Sequence, residues 1–220
     1  MSKLHIFDMD GTLLRGSACL DLSRHMGQID AVNEIEARWS VGGVGHVEFY
    51  ELCLPLWQGL DDRDVDAVFA ATEWLDGVPD VWRDIADRGE HSAVITLSPQ
   101  FFADRLLSWG VGSVHGAGVS AGVAPDPASV LTPASKPALA RSLMERYGVG
   151  LKDCVAYGDS SSDIPLFREL RHTVAVNGSE ALRAIAAAVY DGHDLRQAYR
   201  TGRRLLAEPA VDGVCDRSGR

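Results

Sequence analysis

The sequence predicts an α/β fold, a Rossmann-like doubly wound parallel sheet with a small helical cap inserted into it. Three observations predict it. Short apolar runs alternate with amphipathic stretches along most of the chain, several of those runs end in a glycine or acidic turn, and one helical block interrupts the alternation after the first run. The chain has 220 residues, 46% of them hydrophobic, which suits one large domain carrying an insertion. The division predicted is residues 1–14 plus 77–220 for the sheet-bearing core and 15–76 for the cap.

Taken in order, residues 3–7 form a short apolar run suited to a buried strand, followed by the turn-rich Asp8-Met9-Asp10-Gly11-Thr12-Leu13. Residues from about 18 to 69 keep helical spacing. They are broken by Val41-Gly42-Gly43-Val44-Gly45, and Pro55 kinks or ends a helix. Asp76-Gly77-Val78-Pro79 marks a boundary, and a helix is expected over 80–88, closed by Gly89. Residues 91–97 read as a second strand and 101–109 as the helix after it. Residues 111–135, rich in Gly, Ala, Val and Pro, read as short strands and loops. A helix is predicted over 137–146, with Pro137 in its first turn and Gly148 beyond its end. Strands are then expected over 153–157 and 172–176, and helices over 164–170 and 179–188.

Charge and composition exclude several function classes. Twenty-one Lys and Arg stand against 31 Asp and Glu, a formal net charge of −10. So acidic a chain lacks the electrostatic footprint of a nucleic-acid binder. The first residues reach Asp8 after too few apolar positions for a signal-peptide core, and no apolar run approaches the roughly 18 residues of a membrane span. Cys19, Cys53, Cys154 and Cys215 are scattered without metal-type spacing, so they are expected to be free thiols of a cytoplasmic protein. Arg196, Arg200, Arg203 and Arg204 are expected on an exposed helical face.

The chemistry concentrates at strand ends. Asp8 and Asp10 lie two apart directly after an apolar strand, where a turn lets both carboxylates face one crevice. One can then act as nucleophile or metal ligand while the other handles a proton. Val155-Ala156-Tyr157-Gly158-Asp159 runs into a second acidic turn, with Asp163 four residues on, a position an ordinary helix cap would also occupy. Between the two turns Lys136 opens a helix, where the macrodipole disfavours a cation unless it has another task. Ile95-Thr96-Leu97-Ser98 puts hydroxyls at a further strand end.

This ordered set resembles the haloacid dehalogenase-like superfamily, and the helical insertion resembles the cap of its phosphoserine-phosphatase-like branch. The resemblance runs from Leu4 to about Val176. It implies a phosphatase acting on a small-molecule phosphate monoester through an aspartyl-phosphate, with Mg²⁺ as cofactor. Asp8 would be the nucleophile. Asp10 would be the general acid and then base, its backbone carbonyl ligating the metal, and Asp159 would complete the protein ligands with Asp8. Lys136 would screen the repulsion between Asp8 and the incoming dianion, and Asp163 would hold Lys136 or a metal-bound water. Thr96 is the preferred phosphate-binding hydroxyl and Ser98 the alternative. The backbone at Met9, Asp10, Gly11 and Leu97 is expected to face the phosphoryl oxygens.

The resemblance is incomplete in the cap. The branch's glutamate that pairs with the amine of phosphoserine falls, on this numbering, at Ser17, and no arginine lies between Gly43 and Asp62 to read a carboxylate. Both departures disfavour phosphoserine. Trp39, His46, Phe49, Tyr50 and Trp57 either line a pocket for a larger or less charged ester or simply pack the cap. The packing reading is preferred, with His46 structural or solvated. A phosphotransferase or phosphomutase using the same intermediate is the nearest rival, and an inactive binding module a further one. Dehalogenation is disfavoured because it needs no acid at position 10.

Overall fold

The computed structural model describes residues 2–207. Its centre is a sheet of six parallel strands: β1 (Leu4–Phe7), β2 (His91–Pro99), β3 (Ser113–Ala117), β4 (Cys154–Gly158), β5 (His172–Val176) and β6 (Ala188–Tyr190). They lie in the order β3-β2-β1-β4-β5-β6. The strand order therefore reverses between β1 and β4, and a parallel sheet opens its binding crevice at the carboxyl ends of the strands flanking such a reversal. Asp8 follows one of these strands and Asp159 the other.

Alternation within the strands sorts the core into two apolar layers. Leu4 and Ile6 of β1, Ala93 and Ile95 of β2, and Cys154 and Ala156 of β4 face α7 (Ser135–Tyr147) and α8 (Ile164–Glu169). Their neighbours Phe7, Val94, Val155 and Tyr157 face the opposite layer, shared with α5 (Val78–Asp87) and α10 (Leu195–Ala207). Because helices cover both faces, the central strands are buried at every position.

The helical block between β1 and β2 holds α1 (Ala18–His25), α2 (Ile29–Ser40), α3 (His46–Cys53), a 3-10 turn over Leu54–Trp57, and α4 (Asp62–Ala71). Pro55 stands at the start of that turn, so α3 ends where the proline was expected to stop it. Asp61 and Asp64 form a reciprocal capping box at the start of α4. Trp57 is fully buried, and its indole donates to Ser23 Oγ at 2.8 Å, tying the turn to α1. The two chain passages joining block and sheet run side by side. Arg15 N–H bonds to Glu73 O and Leu75 N–H to Leu13 O, each at 2.8 Å.

The structure corrects the reading of residues 179–188. Only Glu180–Arg183 is helical (α9, after the short α6 at Gln100–Ala103), and Ala188–Tyr190 is the edge strand β6 paired with β5. The alanine-rich run has high helix propensity, but Ala187 N–H bonds to Thr173 Oγ1 and the next residues complete the sheet edge. In the 111–135 stretch only β3 forms. Cys19, Cys53 and Cys154 are buried free thiols, and Cys215 lies outside the described residues. Of the α10 arginines, Arg196 pairs with Asp194 and Asp80, and Arg203 with Glu90.

Candidate active site

The turn after β1 is shaped around its acids. Asp8 N–H bonds to Tyr157 O at 2.9 Å, which keeps the chain in register with β4 to the strand end. It then folds back so that the amides of Thr12, Leu13 and Leu14 all bond to Met9 O. Gly11 has φ +75°, and a Cβ there would stand 2.2 Å from Asp159 Oδ2. Both the backbone conformation and the close approach of the two acidic turns therefore require glycine. Met9 is fully buried, so its side chain anchors the loop.

Lys136 lies beneath the crevice, 1% exposed, and its ammonium donates to Asp8 Oδ1 and Asp163 Oδ1, both at 2.6 Å. Ser162 Oγ accepts a third, longer bond at 3.3 Å. This explains a cation at a helix start: the two carboxylates outweigh the macrodipole. Burial alone would lower the lysine pKa, but Asp163 and Asp8 hold it above the ordinary range. The other oxygen of Asp163 accepts from the amides of Asp159 and Ser160, at 3.0 and 3.2 Å. A Cβ at Gly158 would come within 2.5 Å of that carboxyl, so the strand must end in glycine for Asp163 to reach back.

Asp8, Asp159 and Asp163 offer carboxylate oxygens within 4.8 Å of one another. Burial raises the Asp8 pKa well above the usual carboxylate range, Asp163 adds to the shift and Lys136 opposes it. Burial and Asp163 likewise push Asp159 up to about 7. Three carboxylates facing one ammonium leave a surplus of negative charge. Asp159 Oδ1 is moreover buried with no hydrogen-bond partner. An unpartnered hard oxygen in a negative cluster fits a divalent cation such as Mg²⁺. Asp163 has both oxygens engaged, so Asp8 and Asp159 are the side chains with donor capacity to spare.

Asp10 lines the same cavity as Asp8. One oxygen accepts from Ala18 N–H at 3.0 Å, at the start of α1, and the other accepts from Ser98 Oγ. Burial raises its pKa, and the bonds from Ser98 and Ala18 pull against that rise. Thr96 is 1% exposed, and its Oγ1 accepts from Ser98 N–H at 3.1 Å. The two candidate hydroxyls thus differ: that of Thr96 braces the strand end, and that of Ser98 reaches the acid. Leu97 O accepts from Tyr50 of α3 at 2.6 Å, which docks the cap onto this strand end.

Asp8, Asp10, Thr96, Leu97 and Ser98 line a single cavity of about 190 Å³. It continues into the cap, where Trp39, His46, Phe49 and Tyr50 line it. Phe49 and Tyr50 are at once packed and pocket-facing, whereas Trp57 is core alone. The packing reading of the cap aromatics is corrected to that extent. Ser17, Cys19 and Glu36 also line the cavity and were not foreseen as site residues. A signal for Glu36 existed. Val32, Ile35, Glu36 and Trp39 fall on one helical stripe, with a carboxylate in the seam that α2 buries.

A family model for haloacid dehalogenase-like hydrolases matches residues 6–168. The chain belongs to this family. The match spans both acidic turns, the Thr96–Ser98 strand end and Lys136. Among curated relatives it is similar to the phosphoserine phosphatases of Archaeoglobus fulgidus (22% identical, over 84% of this chain and 55% of that protein) and Methanocaldococcus jannaschii (22%, over 89% and 95%). Phosphoserine phosphatase SerB2 of Mycobacterium tuberculosis is 25% identical over 84% of this chain and 47% of its own length. The chain thus spans about half the length of the Archaeoglobus and Mycobacterium relatives. Among solved structures, a substrate-bound phosphoserine phosphatase superposes with a TM-score of 0.77, at 19% identity over 91% of this chain and 98% of that one. A phospho-aspartyl intermediate analogue of phosphoserine phosphatase gives 0.76, at 19% identity over 90% and 98%. At such identities the structural likeness is one of fold.

Proposed function

We propose that this haloacid dehalogenase-like chain is a Mg²⁺-dependent phosphatase that hydrolyses a small-molecule phosphate monoester through an aspartyl-phosphate on Asp8. The observation that carries the reading is the Lys136 ammonium buried between Asp8 and Asp163. It pins one oxygen of Asp8 and places a fixed positive charge where a phosphoryl group would meet the carboxylate.

Asp8 attacks phosphorus while Asp10 gives its proton to the departing alcohol oxygen. The products are an aspartyl-phosphate on Asp8 and a carboxylate at Asp10. Burial raises the Asp10 pKa, which favours the proton this step draws on. Asp10 then takes a proton from water, whose oxygen attacks the same phosphorus, releasing inorganic phosphate and restoring both acids. Asp8, Asp159 and the Asp10 carbonyl would hold the Mg²⁺, with Asp163 keeping Lys136 in place. The ion would supply charge neutralisation for the phosphoryl oxygens. Thr96 is the better placed phosphate hydroxyl, because its Oγ1 only accepts from the Ser98 amide and keeps its proton to donate, whereas the Ser98 hydroxyl already donates to Asp10. The backbone at Met9, Asp10 and Gly11 supplies further donors.

The cap is the block 15–76 and the core is 1–14 with 77–220, of which residues 1 and 208–220 lie outside the described residues. Paired Leu13–Arg15 and Glu73–Leu75 segments at the junction support that division. No helix among the described residues is long and apolar enough to cross a membrane. The buried free thiols support a cytoplasmic site of action, and the net charge supports a small-molecule partner over a nucleic acid.

The test is turnover of an aryl phosphate by the wild type and by Asp8→Asn, with and without Mg²⁺. Metal-dependent release of phosphate by the wild type, reduced on the order of 10⁴-fold or more in the variant, is expected. A folded, Mg²⁺-supplied wild type no faster than Asp8→Asn on a panel of phosphate esters would overturn the reading.

A further inference from the structure

The cap end of the cavity contains a charge that the phosphatase reading leaves without a task. Glu36 of α2 is half-buried and lines the same cavity as Asp8 and Asp10. Its one hydrogen bond is from Ser17 Oγ, at 3.4 Å, and among the described residues it has no ion-pair partner. Burial raises its pKa, and the proximity of Asp10 adds to the shift. A carboxylate in this position is costly unless a cation or donor joins it.

None of the cap's own cations does so. Arg38, two residues on, points away and pairs with Glu48 on the exposed surface. Arg63 is exposed on α4, and no lysine or arginine lines the cavity.

Beside Ser17 and Cys19, the rest of the cap wall is aromatic. Ring centroids follow one another from His46 to Trp39 at 4.5 Å, Trp39 to Phe49 at 5.1 Å and Phe49 to Tyr50 at 5.6 Å. Burial lowers the His46 pKa from the ordinary 6.5, which disfavours a charge on its ring, and its Nε2 is buried without a partner. A carboxylate with an aromatic wall is the arrangement that takes an organic ammonium, through Coulomb attraction on one side and ring quadrupoles on the other.

Resting on the phosphatase reading, we propose that the leaving group is a short alcohol bearing an ammonium group, read by Glu36 and the Trp39–Phe49–Tyr50 wall. The cavity holds no cation to pair with a carboxylate on the same alcohol, so a phosphorylated amino alcohol fits it and a phosphorylated amino acid does not. Its volume is below that of typical drug-sized pockets, which keeps the alcohol to a few carbons.

The experiment compares two esters of one shape, 2-(trimethylammonio)ethyl phosphate and 3,3-dimethylbutyl phosphate, which differ by the charge on one atom. Calorimetric titration of Mg²⁺-supplied Asp8→Asn protein reads binding without turnover. The cationic ester is expected to bind at least tenfold more tightly, and Glu36→Gln in the same background to shrink that ratio to within about threefold. Equal affinities, or a preference that Glu36→Gln leaves intact, overturn the proposal, as does absence of binding by both. Circular dichroism on the Gln variant excludes misfolding as the cause of a lost ratio, and Glu36→Asp, which keeps the charge, is expected to restore part of it. The wild type assayed on an aryl phosphate reports separately on phosphatase activity. Turnover there without cation preference refutes this inference and spares the phosphatase reading, whereas binding preference without turnover of any ester does the reverse.

Discussion

The two ends of the one cavity are built by different means. At its floor, Asp8, Asp10 and Asp159 come from turns directly attached to strands, Asp163 from the short helical turn after Asp159 and Lys136 from the start of α7. Most of their polar atoms are committed to neighbours, with Asp159 Oδ1 left for a cation. At its cap wall, Glu36, Trp39, His46, Phe49 and Tyr50 come from two helices of a separate block, and polar atoms of Glu36 and His46 are left with little or nothing to bind. A densely hydrogen-bonded network is rigid and suits chemistry that needs fixed geometry. Uncommitted groups on a docked helical block suit recognition of a partner that completes them. The contrast separates reaction from selectivity, and it can be broken at either end.

The largest effect is expected at the floor. Lys136→Met removes the buried ammonium and leaves Asp8 and Asp163 facing each other without a counter-charge. Breaking a buried ion pair in this way costs about 3–5 kcal/mol of stability, together with loss of most turnover. Urea unfolding and a phosphatase assay check both. If the variant were as stable as the wild type, the floor would not be the tightly balanced network described.

A smaller effect is expected where floor and cap meet. Tyr50→Phe removes the hydroxyl that donates to Leu97 O. A loss of about 1 kcal/mol in unfolding free energy is expected, with a rise in KM larger than the fall in kcat. An unchanged KM would show that the bond does not position the cap over the site.

The smallest concerns the buried layer under the floor. His5 of β1 is fully buried, between Tyr157 OH at 3.1 Å and Glu90 at 3.2 Å. Burial lowers its pKa from the ordinary 6.5, against the pull of Glu90. As pH falls below about 6.5 the unfolded chain takes up a proton that folded His5 resists. Its contribution to stability is therefore complete above that pH and declines below it, by at most about 1.4 kcal/mol per pH unit. Melting temperatures from pH 7.5 to 5.5 should fall more steeply for the wild type than for His5→Asn. Parallel curves would contradict a neutral buried His5.

The same contrast explains what could be read from the sequence. The acidic floor residues were legible because they lie in short local patterns, an apolar strand running into a polar turn, and the parallel sheet then brings those ends together, whereas Lys136 was legible as a cation at a helix start. Their division of labour was less so. That Thr96 braces Ser98 while Ser98 faces Asp10 depends on side-chain direction at one strand end, and spacing does not encode it. The cap wall was hidden because it needs α2 and α3 packed at a particular angle. Aromatics at helical spacing read as core, and Phe49 and Tyr50 are indeed core as well as wall. Strand β6 escaped notice because its alanine-rich approach favours helix locally, and only pairing with β5 overrides that preference.

The most direct test of the account is to trap the covalent intermediate. Asp10→Asn protein supplied with Mg²⁺ is mixed with an aryl phosphate, whose good leaving group needs little protonation, then quenched in acid, digested and analysed by mass spectrometry. Without the base that activates water, one phosphoryl group is expected to accumulate on the peptide carrying Asp8, and to be absent when Asp8 is also replaced by Asn. Rapid release of phosphate from the wild type, with no phosphoryl group on Asp8 in the Asp10→Asn protein at any quench time, would contradict it.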